Sequence, residues 1–440
     1  MVEKTFIKPT ILPGFMELLP RDQVIFNKML DSIRESFELC GFLPLDTPVL
    51  EKADILLAKS GKEAEKQIYT FKKGDSEMAL RFDFTVPLAR YVSQRYNELS
   101  FPFKRYQIGK VFRGERPQKG RFREFYQCDV DIIDKDSLAP IYDAEIVATA
   151  YTTFERLNLG SFLIKINNRK LLTGYIEKLG LNKKTKEILR EIDKVQKIGE
   201  EMVAKDFEKM GVNINQTEKI LDFINSAGSV ADVLKKLKSL NVANDTFDEG
   251  VKEIEDLVKN IGYMNIPKSC WTIDLSIARG LDYYTGTIFE IVLTEYPEFG
   301  SICGGGRYNN LAEYFSDKKL PGTGISIGLT RLFDLLKENN LLKYTDRQTL
   351  KVLVIPLGDY TNLAYDLVAN LRKSNIQADV LYTGEGLKKK LSIASKSGVR
   401  FVAIIGEDEV KNKRITVKDM ETGEQNSVPA GDIVSFVTKS

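Results

Sequence analysis

Apolar and polar positions alternate with different periods along the chain. Between residues 21 and 40, Val24, Ile25, Met29, Ile33 and Phe37 recur at helical spacing with charges between them, and Gly41 follows as a stop. This predicts an amphipathic helix. Phe42 to Val49 reads as extended, and Pro44 and Pro48 confine it to a sheet margin or an interface. From 104 to 133 the period becomes two, predicting two long strands around a loop. Tyr106, Ile108 and Phe112 share one face of the first strand; Arg105, Gln107 and Arg113 share the other. On the return strand Tyr126, Cys128, Val130 and Ile132 form an apolar face, opposite Phe125, Gln127, Asp129 and Asp131. A face with an aromatic ring, an amide and two acids resembles the floor of a binding site. The alternative is a half-solvated sheet with its polar face in water.

Residues 168–265 are rich in Lys, Glu, Leu and Ile at helical spacing and read as an inserted helical module. Strand-like runs resume at Cys270 to Ile273 and Thr287 to Leu293. A polar connector follows, and residues 351–440 alternate strand and helix. Lys351 to Leu357, Ala378 to Tyr382 and Phe401 to Ile405 read as strands, and Thr361 to Lys373 and Gly386 to Ser397 as helices, which predicts a small α/β domain.

Composition narrows the chemistry. The 440 residues are 43% hydrophobic and 29% charged, ordinary values for a globular chain. Lys plus Arg number 64 and Asp plus Glu 62, so any basic footprint must be local. No apolar run approaches the roughly 18 residues of a membrane span, and the N-terminus lacks an apolar signal core. Cys40, Cys128, Cys270 and Cys303 are far apart, which speaks against a disulfide framework or a zinc site and fits a reducing compartment. The chain contains no histidine. That removes imidazole triads, dyads, metal sites and general bases, leaving carboxylates, Arg, Lys, hydroxyls, backbone dipoles or a carboxylate-bound ion.

Four stretches carry candidate chemistry. Arg113, Arg116, Lys119, Arg121 and Arg123 crowd one loop with a single acid, Glu115. Phosphate would offset their repulsion, because guanidinium matches it bidentately; a solvated loop is the alternative. Ala278 to Gly286 brackets Arg279, Asp282, Tyr283 and Tyr284 with glycines, and a salt bridge from Arg279 to Asp282 would be its purely structural use. Gly304, Gly305 and Gly306, before Arg307 and Tyr308, allow close backbone approach to a ligand. Gly324 to Arg331 leads from a strand into a helix whose first turn and arginine suit an anion. No Walker A or GxGxxG sequence is present.

This set resembles class II aminoacyl-tRNA synthetases, and specifically the histidyl-tRNA synthetase family. Arg113-Gly114-Glu115-Arg116 through Gln127-Cys128-Asp129 is similar to the second motif of that class, Gly324 to Arg331 to the third, and Pro48 to the proline of the first, at the dimer interface. Arg279 to Tyr284 and Gly304 to Tyr308 resemble the two motifs peculiar to the histidyl enzymes, and residues 351–440 resemble their anticodon-binding domain. The resemblance implies an α+β catalytic domain over 1–335, an antiparallel sheet flanked by helices and interrupted by the 168–265 helical insertion. A linker over 336–350 and the α/β anticodon-binding domain over 351–440 complete it.

It also implies roles. Arg113 would hold the α-phosphate of ATP, with Arg279 as the extra cation there. Glu115 would take the adenine amino group and Phe125 stack on adenine. Arg331, on the other side of the base, would reach the γ-phosphate with Arg121. Asp83 and Thr85, two apart on one face of an extended segment, would bind the histidine ammonium. Gln127, Asp131, Tyr283, Tyr284 and Tyr308 would complete the amino-acid pocket, with no protein-held metal. Arg116 and Gln118, at the loop tip, would meet the acceptor end of tRNA(His). Asp83 departs from the glutamate of many bacterial members. The implied activity is histidine–tRNA ligation by a cytoplasmic homodimer that uses L-histidine, ATP and Mg2+ and no membrane. A paralogous regulatory subunit of ATP phosphoribosyltransferase is the alternative; it usually lacks the anticodon domain and the full set of phosphate arginines, all present here. A plain RNA-binding module would leave the tyrosine loop and the polar strand face without a use.

Overall fold

In the computed structural model the described residues are 7–58, 66–116, 120–279, 283–310, 312–342 and 350–439. They form two compact units, one of residues 1–17 and 29–340 and one of residues 18–28 and 341–440.

The first unit is built on an eight-stranded sheet. Its strand order is Leu43–Pro44, Phe103–Phe112, Glu124–Ile133, Gly322–Gly328, Cys303–Tyr308, Thr287–Leu293, Phe162–Asn168 and Trp271–Ile273. Only the two edge pairs are parallel; the six strands between them run antiparallel. The proline-flanked segment contributes the edge strand Leu43–Pro44, as proline requires. Cys128, Val130, Ile132, Ile325 and Ile327 line one face and are buried. The helices Ile141–Leu157 and Leu329–Glu338 pack against these central strands. The other face carries the polar positions. A small sheet of Leu50–Lys52, Ser76–Leu80 and Thr70–Lys73 precedes the helix Thr85–Gln94.

The predicted insertion is helical. The chain leaves the sheet at Asn168, whose side chain accepts the Lys170 N–H and opens the helix Arg169–Lys178. Capping boxes at Asn213 and Ser229 start Ile214–Ile224 and Val230–Ser239, and Asn244 caps the long helix Asp245–Tyr263. Apolar faces with Val203, Phe207, Phe223, Leu237 and Phe247 close the bundle.

The second unit holds a five-stranded sheet in the order Ala378–Val380, Val352–Pro356, Phe401–Ile405, Arg414–Asp419, Gln425–Pro429. The first three strands are parallel and the last two form an antiparallel hairpin. The helices Thr361–Lys373 and Leu387–Ser397 stand where sequence periodicity places them.

Candidate active site

The polar face of Glu124–Ile133 has two chemically distinct ends. At one end stands a group of arginines. Arg113 follows the strand Phe103–Phe112, and its guanidinium lies 4.5 Å from the Phe82 ring and 5.0 Å from the Phe125 ring. Its Nε donates to the Phe82 carbonyl at 3.3 Å. Burial lowers its affinity for the proton, while Asp83, Glu115 and Asp129 support the charge. Arg121 Nη1 donates to Glu115 at 3.2 Å. Arg331, early in the helix Leu329–Glu338, donates to the Phe299 carbonyl at 2.8 Å. Arg279 is ion-paired with Glu290. Burial lowers the pKa of Arg331, and Arg279 and Arg121 repel it further; Arg279 is affected likewise by burial and by Arg121. These guanidinium groups therefore share one field, and an anion there would relieve both burial and repulsion.

The other end is acidic and aromatic. Asp131 accepts the Tyr308 hydroxyl on Oδ1 at 3.1 Å and pairs through Oδ2 with Arg105 Nη2 at 2.5 Å. Arg105 is fully buried, and it sits directly across from Asp131 in the strand register. Tyr283 stacks on Tyr308 with ring centroids 5.3 Å apart and tilts against Tyr284 at 4.9 Å. The Tyr283 hydroxyl is hydrogen-bonded to Thr85. Gln127 Nε2 donates to Ser326 Oγ at 2.5 Å. Ser326 is also hydrogen-bonded to Asp129, whose carboxyl burial pushes up to about 7. Burial raises Asp131 as well, against the pull of Arg105. A cavity of about 370 Å³ is lined by Tyr283, Tyr284 and Thr285 together with Arg169, Thr173 and Thr246.

Sequence expectations meet this geometry unevenly. Phe125, Gln127 and Asp131 share one strand face, and Tyr283, Tyr284, Tyr308, Asp131 and Thr85 are brought together. Asp83 and Thr85 do not lie on an extended segment: Asp83 Oδ1 accepts the Val86 N–H at 3.1 Å, and Thr85 opens the helix Thr85–Gln94. A short acidic side chain that bonds the backbone ahead of it turns the chain into a helix, a local competition that spacing alone does not reveal. The glycine run is part of the central strand Cys303–Tyr308, where the absence of side chains lets the Tyr284 ring and neighbouring backbones approach. Arg116 is exposed; Gln118 and the segment Gly280 to Asp282 lie outside the described residues. Asp193 of the insertion supports the Arg279 charge, and Gln196 donates to Ser276 at 3.3 Å, so the insertion borders the site. Sequence reasoning gave no role to Arg105, Asp129, Ser326 or Glu290. Strand alternation puts Asp129 and Arg105 on polar faces, but the pairing of Arg105 with Asp131 and the places of Ser326 and Glu290 need the register. Among the described residues no group of His, Cys, Asp or Glu side chains is arranged to hold a metal ion.

A family model described as histidyl-tRNA synthetase matches residues 14–332, and one described as anticodon binding domain matches residues 351–440. The chain is 51% identical over 437 residues to a histidine–tRNA ligase of Clostridium tetani, covering 99% of each. It is 43% identical to a histidine–tRNA ligase of Clostridium acetobutylicum, covering 97% of this chain and 99% of the other. It is similar to the crystal structure of histidyl-tRNA synthetase from a Nostoc species, with TM-score 0.89, 38% identity and coverage of 99% and 100%. A Bacillus halodurans structure described as an ATP phosphoribosyltransferase regulatory subunit/histidyl-tRNA synthetase shares the fold at TM-score 0.75 and 18% identity, covering 92% and 99%.

Proposed function

The chain belongs to the histidyl-tRNA synthetase family and is a class II histidine–tRNA ligase, and from that premise we propose how its residues divide the work. The amino-acid carboxylate attacks the α-phosphorus of ATP, the bond to the β-phosphate oxygen breaks, and pyrophosphate leaves. Arg113 and Arg279 receive the charge gathering on the α-phosphate; Arg331 and Arg121 hold the γ-phosphate. Phe125 stacks on adenine and Glu115 accepts from its amino group. Asp83 and Thr85 hold the histidine ammonium, while Gln127, Asp131, Tyr283, Tyr284 and Tyr308 complete the amino-acid pocket. The 3′ ribose hydroxyl of tRNA(His) then attacks the acyl carbon and AMP departs. Arg116 and Gln118 meet the acceptor end.

The observation that carries this reading is the meeting, on one strand face, of mutually repelling guanidinium groups with an acid-lined aromatic pocket. Preorganised cations at the point where charge develops favour the transition state over the ground state. Mg2+ would travel with the nucleotide: the arginine end offers Glu115 as a carboxylate, and Arg121 already engages it.

The domain boundaries we propose are a catalytic domain over 1–335 interrupted by 168–265, a linker over 336–350 and an anticodon-binding domain over 351–440. A homodimer is supported by Leu39, Leu43, Val49 and Leu50, large apolar side chains exposed beside the edge strand. Among the described residues no helix is long and apolar enough to cross a membrane, and the free thiols fit a cytoplasmic location. The anticodon-binding match over 351–440 argues against a regulatory subunit. Histidine-dependent exchange of pyrophosphate into ATP, followed by charging of tRNA(His), tests the assignment. Exchange that does not need histidine would refute the proposed pocket.

A further inference from the structure

The chain between the edge strand Trp271–Ile273 and Arg279 forms neither strand nor helix, yet the sheet holds it along its length. The Asp274 N–H donates to the Ile166 carbonyl at 2.8 Å, and Asp274 Oδ2 pairs with Lys165 at 2.9 Å. Its Oδ1 accepts the Ser276 N–H at 3.0 Å and the Ser276 hydroxyl at 2.5 Å. Asn167 lies two residues beyond Lys165 on the strand Phe162–Asn168, so both side chains leave the same face. It is 0% exposed. Its Nδ2 donates to the Leu275 carbonyl at 3.1 Å and to the Ile277 carbonyl at 2.8 Å, and its Oδ1 accepts the Asn168 N–H at 2.8 Å. A primary amide has two hydrogens to give, and here each has its own carbonyl. Two residues after Ile277 comes Arg279, paired with Glu290, which stands across from Lys165 in the register. Lys165, Asn167 and Glu290 thus stitch one irregular segment to two neighbouring strands, and the segment ends on the arginine.

We propose that Asn167 is a positioning residue for Arg279, fixing through the Leu275 and Ile277 carbonyls the place from which that guanidinium reaches the reacting phosphate. The inference rests on the α-phosphate role assigned to Arg279 above. Being 0% exposed, Asn167 does not meet the nucleotide, so its effect on the reaction passes through the segment it holds. The Glu290 pair fixes the head of a long side chain and leaves its backbone free to shift; the amide fixes that backbone. A preorganised cation acts where charge develops, and a displacement of about 1 Å can cost roughly 10²-fold in rate. No other side chain of this size makes both bonds: Asp offers acceptors to two carbonyls, and Leu leaves both carbonyls buried without a donor.

The experiment is a double-mutant cycle on the full chain, read by histidine-dependent exchange of pyrophosphate into ATP below the melting temperature of every variant. Asn167→Ser keeps a hydroxyl and withdraws the two-armed amide. It should lower kcat roughly 10- to 100-fold, with KM for ATP and KM for histidine within about 2-fold of wild type. In the Arg279→Ala background the same substitution should cost less than about 2-fold, because a residue that acts through another has little effect once that other is gone. A loss of equal size in both backgrounds would make Asn167 a general support of the sheet and overturn the proposal. A wild-type kcat in Asn167→Ser would show that the segment keeps its place without the amide, and overturn it too. If Asn167→Ser does not fold, the isosteric Asn167→Asp, which cannot donate to both carbonyls, runs the same cycle with the same readings. A chain that folds with neither replacement would make Asn167 a core residue and overturn the proposal. The reading of Arg279 fails separately. Near wild-type exchange by Arg279→Ala alone would remove that reading and this inference with it, whereas a slow Arg279→Ala chain with additive losses removes only the inference.

Discussion

The guanidinium of Arg279 is ion-paired with the carboxylate of Glu290, a residue of the strand Thr287–Leu293 that is 6% exposed. In the register Glu290 stands between Lys165 and Gly304. Lys165 is turned to Asp274 at 2.9 Å, and Gly304 has no side chain, so neither register neighbour of Glu290 competes with Arg279 for it. A buried carboxylate on a central strand anchors the arginine more firmly than a loop acid would. The pair ties a permanently charged guanidinium to a central strand of the sheet.

Arg279→Ala should lower histidine-dependent exchange by roughly 10²–10³, about 2.7–4 kcal/mol, the usual cost of losing one preorganised donor. The apparent ATP constant should change little, while the melting temperature should fall because the buried Glu290 loses its partner. Glu290→Gln keeps the shape and removes the anchoring charge, so kcat should fall by roughly 10-fold with KM for histidine near the wild-type value. A Glu290→Gln chain with normal kcat and a lowered melting temperature would make the pair purely structural.

Asp129 gives a pH-dependent expectation. Burial is the main cause of its rise to about 7; Asp131 and Asp83 add to it, while Arg105 and the Ser326 hydrogen bond oppose it. Arg113, Tyr284 and, through Ser326, Gln127 also face this cluster. In the unfolded chain the group titrates near about 3.9. The folded state thus keeps the proton longer, so the penalty of ionising Asp129 is absent below about pH 4, grows toward pH 7 and is constant above it. Asp129→Asn removes that penalty. The variant should melt above the wild type at pH 8, with the gap closing as the pH falls toward 5. A gap that stays constant over that range would mean Asp129 does not titrate there.

Two adjacent glycines should fail differently. A Cβ on Gly306 would lie 2.6 Å from the Thr287 carbonyl and 2.9 Å from the Tyr284 ring. Gly306→Ala should therefore displace both Tyr284 and the neighbouring strand, raising KM for histidine at least several-fold, as a distorted pocket contact does, and lowering the melting temperature, with ATP binding retained. A Cβ on Gly305 would strike the Gly324 carbonyl and Ile325, backbone of the neighbouring strand. Gly305→Ala should destabilise the sheet itself, read as a lower melting temperature. An unchanged KM for histidine in Gly306→Ala, or a raised one in Gly305→Ala, would contradict this separation.

Much of this was legible in the sequence where one strand or helix carried the signal. Alternation placed Phe125, Gln127, Asp129 and Asp131 on one face, and periodicity separated the helical insertion from the sheet. Pairings between distant segments were not legible. Arg105 meets Asp131, and Glu290 meets Arg279, only once the register is set. Asp83 was misread as part of an extended run because its bond to the Val86 N–H competes locally with extension. The strands Arg414–Asp419 and Gln425–Pro429 escaped notice for another reason. They close the edge of their sheet and bury mainly Ile415, Val417 and Val428, too few apolar positions to show a period.

Arg105 cannot touch a ligand, being 0% exposed, yet histidine binding should depend on it. Its guanidinium opposes the burial that raises Asp131, and the Tyr308 hydroxyl bonds the other oxygen of the same carboxylate. Removing one partner of a buried pair leaves an uncompensated charge, at a cost of about 3–5 kcal/mol. Arg105→Met should therefore lower stability in urea unfolding by an amount of that order. Asp131 should then hold its proton to higher pH, and the Tyr308–Tyr283 stack should lose its fixed support. KM for histidine should rise while KM for ATP stays near the wild-type value, because the arginines of the phosphate end keep their own partners. Asp131→Asn made on top of Arg105→Met removes the orphaned charge and should restore part of the stability. The coupling between the two sites would then lie in the range of roughly 0.5–3 kcal/mol found for contacting residues. Strictly additive losses would show that the pair contributes nothing beyond its separate side chains.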